Sequence, residues 1–355
     1  MKNNTGKPVQ YPVDAQSNLL LCAIASVLLA AENAGSKMQF YRGKTDAERR
    51  HHTLYQFLST ITGVNLLWND PAPCDPYQTI YLPGTDSALL TDRLDLAMKA
   101  VGCKYERILK GTEKSAVFSQ ITASIDRGIP VLMKLGGGKD WHIVTGYDTD
   151  RSVLYGIDAH KHYSVQPVML PDGYLEDGRF YLSGWYEPFQ YGIIITDTYP
   201  ARLPFPDLIR RMYRILSREE NKVLEKEILS AIDTEPDQQK LVRQLNELTG
   251  YTLACRWHVA ECCTSALYRM AAHPAQKGSL KEINVNYLQF HDLCWTVRAE
   301  LGIGPAAAYE LPDNVRGILW DDRQKKSLKD LFSRLFELDR NVCGLLRQIL
   351  EPRPV

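Results

Sequence analysis

The sequence predicts an α+β domain over residues 1–200 followed by an all-helical domain over residues 201–355. Three observations carry that division. The short β-rich segments IPVLMKL (129–135), HIVTGY (142–147), SVLYGID (152–158) and GIIIT (192–196) are confined to the first part, among glycine-terminated helical stretches. Beyond Pro204 and Pro206 the residues read as long helical segments with few strand-like runs. Between the two lies YPARLPFP (199–206), whose prolines interrupt both patterns.

In chain order, the apolar run QSNLLLCAIASVLLAA (16–31) predicts a helix over about 20–34 that ends at Gly35. Ser87–Val101 and Lys114–Arg127 are helical patterns closed by Gly102 and Gly128. The four strand segments follow. Asp148-Thr149-Asp150-Arg151 lies between the second and third of them and reads as a hairpin turn, which makes those strands antiparallel neighbours. In that hairpin, residues whose numbers total about 299 or 300 lie opposite one another, so His142 is expected to face Asp158. In the second part, helices are predicted over about 207–232, 236–272, 279–302 and 323–350. No internal repeat or low-complexity tract is visible in either part.

Composition bounds the function. With 355 residues, 45% hydrophobic and 24% charged, the chain can bury a sizeable core. Basic and acidic residues number 42 each, with 19 against 21 up to residue 200 and 23 against 21 beyond. That balance leaves no basic footprint for nucleic acid or a membrane surface, and neither partner is expected. The eight cysteines (22, 74, 103, 255, 262, 263, 294, 343) form no CxxC pair, so they read as reduced thiols of a cytoplasmic protein. Leu19–Ala31 has the length of an export-signal core, but Pro8, Pro12, Asp14 and Gln16 separate it from Lys2 and Lys7. It is also shorter than the roughly 20 apolar residues that span a bilayer.

A reactive thiol would explain why one cysteine opens this helix. A helix N-terminus stabilises the thiolate against the ordinary thiol, whose pKa is ~8.5, and Ser17 or Asn18 can cap the helix ahead of Cys22. His142 starts a strand directly after GGGKDW (136–141), at the rim of a cleft, where it can serve as base with Asp158 orienting its ring. Gln16, six residues before Cys22, can donate to a developing oxyanion beside the Cys22 N–H. Taken singly, Cys22 reads as a core thiol, His142 as a structural histidine, and Gln16 carries no signal of its own. Their joint order is what points to nucleophilic chemistry.

Gln16, then Cys22 opening a helix, then IPVLMKL, WHIVTGYD and LYGIDAH together resemble the papain-like cysteine hydrolase superfamily. In particular they resemble its bacteriocin-processing (C39-like) peptidase branch and the N-terminal domain of butirosin biosynthesis protein H, both bacterial. The resemblance covers about the first 200 residues and implies a papain-like fold there. It implies Gln16 as oxyanion donor, Cys22 as nucleophile, His142 as base and then acid, and Asp158 as the residue that orients the histidine. It further implies a peptide, amide or acyl-thioester substrate, including one bound to a carrier protein. Water as acceptor makes a peptidase or amidase, and an amine makes an acyltransferase. Two positions depart from the family pattern: Cys22-Ala23 stands where Cys-Gly is usual, and Asp158-Ala159-His160 where Asp-Pro is familiar. Neither change removes a catalytic atom.

Rival readings are weaker. Asp158, His160 and His162 alternate as a metal site would require, but no further ligand is evident, so no metal is expected. Glycines 136–138 precede a strand and lack the G-x-x-x-x-G-K-[ST] pattern, so no phosphate loop or other cofactor is expected; they more simply give the cleft a flexible wall. Trp257, His258, Glu261 and Cys262, with His291, Cys294 and Trp295, could form a second site, although spacings of three and four are those of helix packing. The helical part would then serve as a lid, a docking surface or an oligomer contact. The alternative to an enzyme is a catalytically inactive papain-like binding or scaffold protein.

Overall fold

The structure, a computed structural model, describes residues 2–4, 23–29, 47–63, 66, 68, 87–135, 141–157, 172–176, 179–198, 203–303 and 320–351. The chain divides into two units, Met1–Leu58 with Asp75–Leu203, and Ser59–Cys74 with Pro204–Val355. The main division falls inside YPARLPFP. The segment 59–74, which the sequence reading left in the first domain, groups instead with the helical residues.

In the first unit, helices and an antiparallel sheet combine in the α+β manner. Among the described residues the strands are β1 (Lys2–Asn4), β2 (Cys103–Leu109), β3 (Val131–Leu135), β4 (Trp141–Asp148), β5 (Val153–Ile157), β6 (Gly173–Tyr174), β7 (Phe180–Leu182) and β8 (Phe189–Thr198). They form one sheet in the order β2-β8-β3-β4-β5-β7-β6, with β1 added to β4. Every neighbouring pair is antiparallel. All residues of β3 and β4 are buried, as in a strand covered on both faces. The β4–β5 turn forms where expected: the Asp148 carboxylate accepts from the Asp150 N–H at 3.1 Å, and Ser152 takes the left-handed conformation at φ 52°.

One face of the sheet is packed by the helix α4 (Lys114–Asp126); the other described helices before residue 200 are α1 (23–29), α2 (Ala47–Thr62), whose last four residues fall in the second unit, and α3 (Ser87–Val101). Val117, Ile121 and Ile125 recur at the spacing of one helical face and pack with Val131, Met133, Val144, Leu154, Phe180 and Ile194. Glu113 caps α4 by accepting from the Ala116 N–H, and Gly128 ends it at φ 78°. Residues 23–28 of α1 are buried without interruption, so no solvent face appears until Leu29, which is partly exposed. Two elements were not foreseen. The run AERRHH hides the buried stripe Leu54, Phe57, Leu58 and Ile61 of α2, and charges interrupt the apolar positions of β2.

The helical unit contains α5 (Phe205–Leu216), α6 (Glu219–Thr234), α7 (Gln238–Thr264), α8 (Ala266–Met270), α9 (Pro274–Glu300) and α10 (Asp322–Leu350). Two predicted helices are each divided. Asn221 Nδ2 donates to the Ile215 and Leu216 carbonyls, which closes α5 before α6 begins. Ser265 leaves helical geometry at φ −108° and ψ −84°, which separates α8 from α7. α9 starts at Pro274, earlier than 279, because proline suits the first helical turn and the Gln276 side chain accepts from the His273 N–H.

The core of this unit holds a charge pair. Arg256 of α7 is fully buried and grips Asp339 of α10 through Nε at 3.0 Å and Nη2 at 2.7 Å. Trp68 Nε1 donates to the same carboxylate at 2.5 Å, and its ring stacks on Phe336 at 4.0 Å. The guanidinium also lies 5.4–5.7 Å from the Trp68, Tyr287 and Phe290 ring centres. These contacts are the physical reason that 59–74 belongs with the helices. Removing one partner strands a buried charge, so Asp339→Ala should cost about 3–5 kcal/mol in urea unfolding of the helical unit. A loss below about 1 kcal/mol would contradict a buried, bidentate pair.

Candidate active site

Of the residues assigned to the candidate site, His142 is described, and Gln16, Cys22 and Asp158 lie outside the described residues. So do glycines 136–138 and the alternating set Asp158, His160 and His162. Among the described residues no group of three or more His, Cys, Asp or Glu side chains could hold a metal ion.

His142 is the second residue of β4 and is 5% exposed. It pairs with Met133 of β3, and cross-strand partners share a face, so the imidazole lies on the face that α4 covers. The hairpin register bears directly on its surroundings. Ile143 pairs with Ile157 and Val144 with Gly156, in the register the turn predicted; a bulge then shifts pairing by one residue toward the turn. His142 therefore stands one step beyond the last described pair of β4 and β5.

The described neighbour of the imidazole is an aromatic ring. Phe180 of β7 lies edge-to-face with it, at 5.6 Å between centroids and 88° between planes. Phe180 reaches that position across Gly156, its partner in the β5–β7 ladder. A Cβ at residue 156 would sit 2.4 Å from the Ile143 carbonyl oxygen and 2.6 Å from the Phe180 ring. Glycine is thus required for the ring to cross the strand, and the ring in turn walls one side of His142. Sequence reading did not find this pair, since its signal is only a glycine in a strand facing an aromatic two strands of sequence away.

The opposite face at the same end of β4 carries Lys134, which is buried and pairs with both Trp141 and Tyr191. These two rings meet edge-to-face at 6.1 Å. At the edge of the sheet, the Tyr105 hydroxyl donates to Asp95 of α3 and accepts from Arg107 Nη2. Burial, with the Asp95 bond, pushes the Tyr105 phenol well above its ordinary value, so it stays a neutral donor. This cluster fastens α3 to β2 and is too far along the sheet to be counted with His142.

The second constellation proves to be packing. Cys262, Cys263 and Cys294 are fully buried in the helical unit, and the Cys294 sulfur lies 3.9 Å from the Thr252 hydroxyl. Burial pushes the thiols of Cys262 and Cys294 up to about 12 and raises Cys263 as well, so none is a thiolate near neutrality. His291 accepts from Trp295 Nε1 at 3.3 Å and lies 4.9 Å from the ring of Trp257, a surface cluster without a nucleophile. No helix among the described residues is long and apolar enough to cross a membrane. Comparison with known family models, characterised proteins and solved structures gives no match.

In the native protein at pH 8, iodoacetamide should leave Cys262, Cys263 and Cys294 unmodified, with labelling rising only as the medium approaches pH 12 or the chain unfolds; peptide mass spectrometry reads the outcome. Gly156→Val should lower stability by about 1–3 kcal/mol and move the His142 ring resonances in an NMR spectrum, whereas unchanged stability would refute the close approach of Phe180.

Proposed function

We propose that the first unit is a thiol-dependent acyl-transfer domain of papain-like fold, acting as a peptidase or amidase or as an amine acyltransferase. The observation that carries this reading is the β4–β5 register. The pair Ile143 and Ile157 lies immediately beside His142, and a ladder that kept this register for one more residue would set Asp158 opposite the imidazole. The unbroken burial of residues 23–28 supports it further, because a nucleophile at 22 would precede a helix held on all sides.

In the proposed mechanism Cys22 is the thiolate that attacks a substrate carbonyl. Gln16 and the Cys22 N–H hold the oxyanion, and His142 gives its proton to the leaving group. Asp158 keeps the imidazole oriented and in the tautomer that faces the sulfur. Water or an amine then attacks the acyl-enzyme with His142 as base, which releases the product and regenerates the thiol. The substrate is a peptide, amide or acyl-thioester, and no cofactor takes part.

Iodoacetamide labelling at mildly acidic pH tests the reading. Cys22 should react selectively, and His142→Ala should abolish that reactivity, because the imidazolium is what stabilises the thiolate. Eight uniformly sluggish cysteines would favour the inactive scaffold instead. Once a substrate is in hand, Gln16→Ala should lower turnover by ~10² to 10³ with folding intact, as expected for loss of one oxyanion donor.

A further inference from the structure

We propose that the cleft between α8 and the first two turns of α9 binds a phosphate group. The cleft has a volume of about 250 Å³ and is lined by Tyr268, Ala272, Pro274, Lys277, Gly278 and Lys281. Lys277 and Lys281, four residues apart on one helix face, both direct their ammonium groups at the Tyr268 ring, at 5.2 and 5.6 Å from its centre. Like charges at this spacing repel and destabilise a helix by about 0.2–0.5 kcal/mol. Yet among the described residues neither ammonium has a carboxylate at ion-pair distance.

The sequence around the cleft keeps it cationic. Between Glu261 and Glu282 there is no acidic residue, while Arg269, His273, Lys277 and Lys281 all fall in that interval. Gly278, inside α9, is not there for packing: a Cβ at that position would meet nothing within 4 Å. Glycine in a helix interior costs roughly 0.5–1 kcal/mol relative to alanine, and here its effect is to leave the cleft open between the two lysines. Two unneutralised ammonium groups over an aromatic floor suit a compact dianion better than a single carboxylate, and the helix dipole near the start of α9 has the same sign preference. Phosphate supplies the charge, either as the free ion or as an organic phosphomonoester. This site does not rest on the acyl-transfer reading.

Amide NMR of the full chain at pH 7.5, with ionic strength held constant by chloride, tests the proposal with inorganic phosphate as the probe. Residues 272–281 should shift and saturate at millimolar phosphate. The double variant K277Q/K281Q, with an unchanged melting temperature, should weaken binding by about tenfold or more. Phenyl phosphate is the second arm: tighter binding than phosphate assigns the site to an organic phosphomonoester, and equal binding assigns it to the phosphate group alone. Shifts that are absent, that chloride reproduces, or that persist in K277Q/K281Q would overturn the site.

Discussion

The first unit depends on β4. It is hydrogen-bonded to β1, β3 and β5, and each of its eight residues is buried. A strand held in this way has no alternative register: a slip of one residue would exchange its two faces and carry His142 away from the side that α4 covers. Position is therefore fixed by the same hydrogen bonds that build the sheet, and the imidazole needs no loop to place it. A side chain on a central strand loses rotamer freedom on folding, and that cost is offset by apolar burial along the whole of β3 and β4. Chemistry carried on such elements is more rigid than chemistry carried on loops.

The helical unit is specified by different means. Its seam between α7 and α10 has a guanidinium and a carboxylate at the centre, with three aromatic rings around the cation. Such a pair adds little net stability compared with well-packed apolar residues, because both ions are desolvated. Its effect is directional. A one-turn slide of either helix would separate the bidentate pair, an error that leucines alone would tolerate. The indole of Trp68 extends the same constraint to the segment 59–74, which is otherwise distant in sequence from the helices it joins.

Much of this architecture was legible because its causes are local. Ser87–Val101 and α4 follow from apolar spacing and a closing glycine, and the β4–β5 hairpin from the Asp-Thr-Asp-Arg turn. The breaks at Ser217 and Ser265 were missed because no proline or glycine marks them; side-chain capping by Asn221 ends α5. The place of Trp68 could not be read at all, since its partner Asp339 is 271 residues away. For the candidate site, sequence order pointed to Gln16, Cys22, His142 and Asp158, while the Gly156–Phe180 wall beside His142 emerged only from cross-strand pairing. Long-range pairing of this kind leaves no periodic trace in one chain.

The central claim is that Cys22 and His142 form one reacting pair with Asp158 behind the imidazole. A crystal structure that resolves all three side chains tests it most directly. The acyl-transfer reading predicts the Cys22 sulfur within about 4 Å of one His142 ring nitrogen and an Asp158 carboxylate oxygen within about 3.2 Å of the other. A Cys22 side chain turned into the core, or an Asp158 directed away from the β4 face that carries His142, would contradict it.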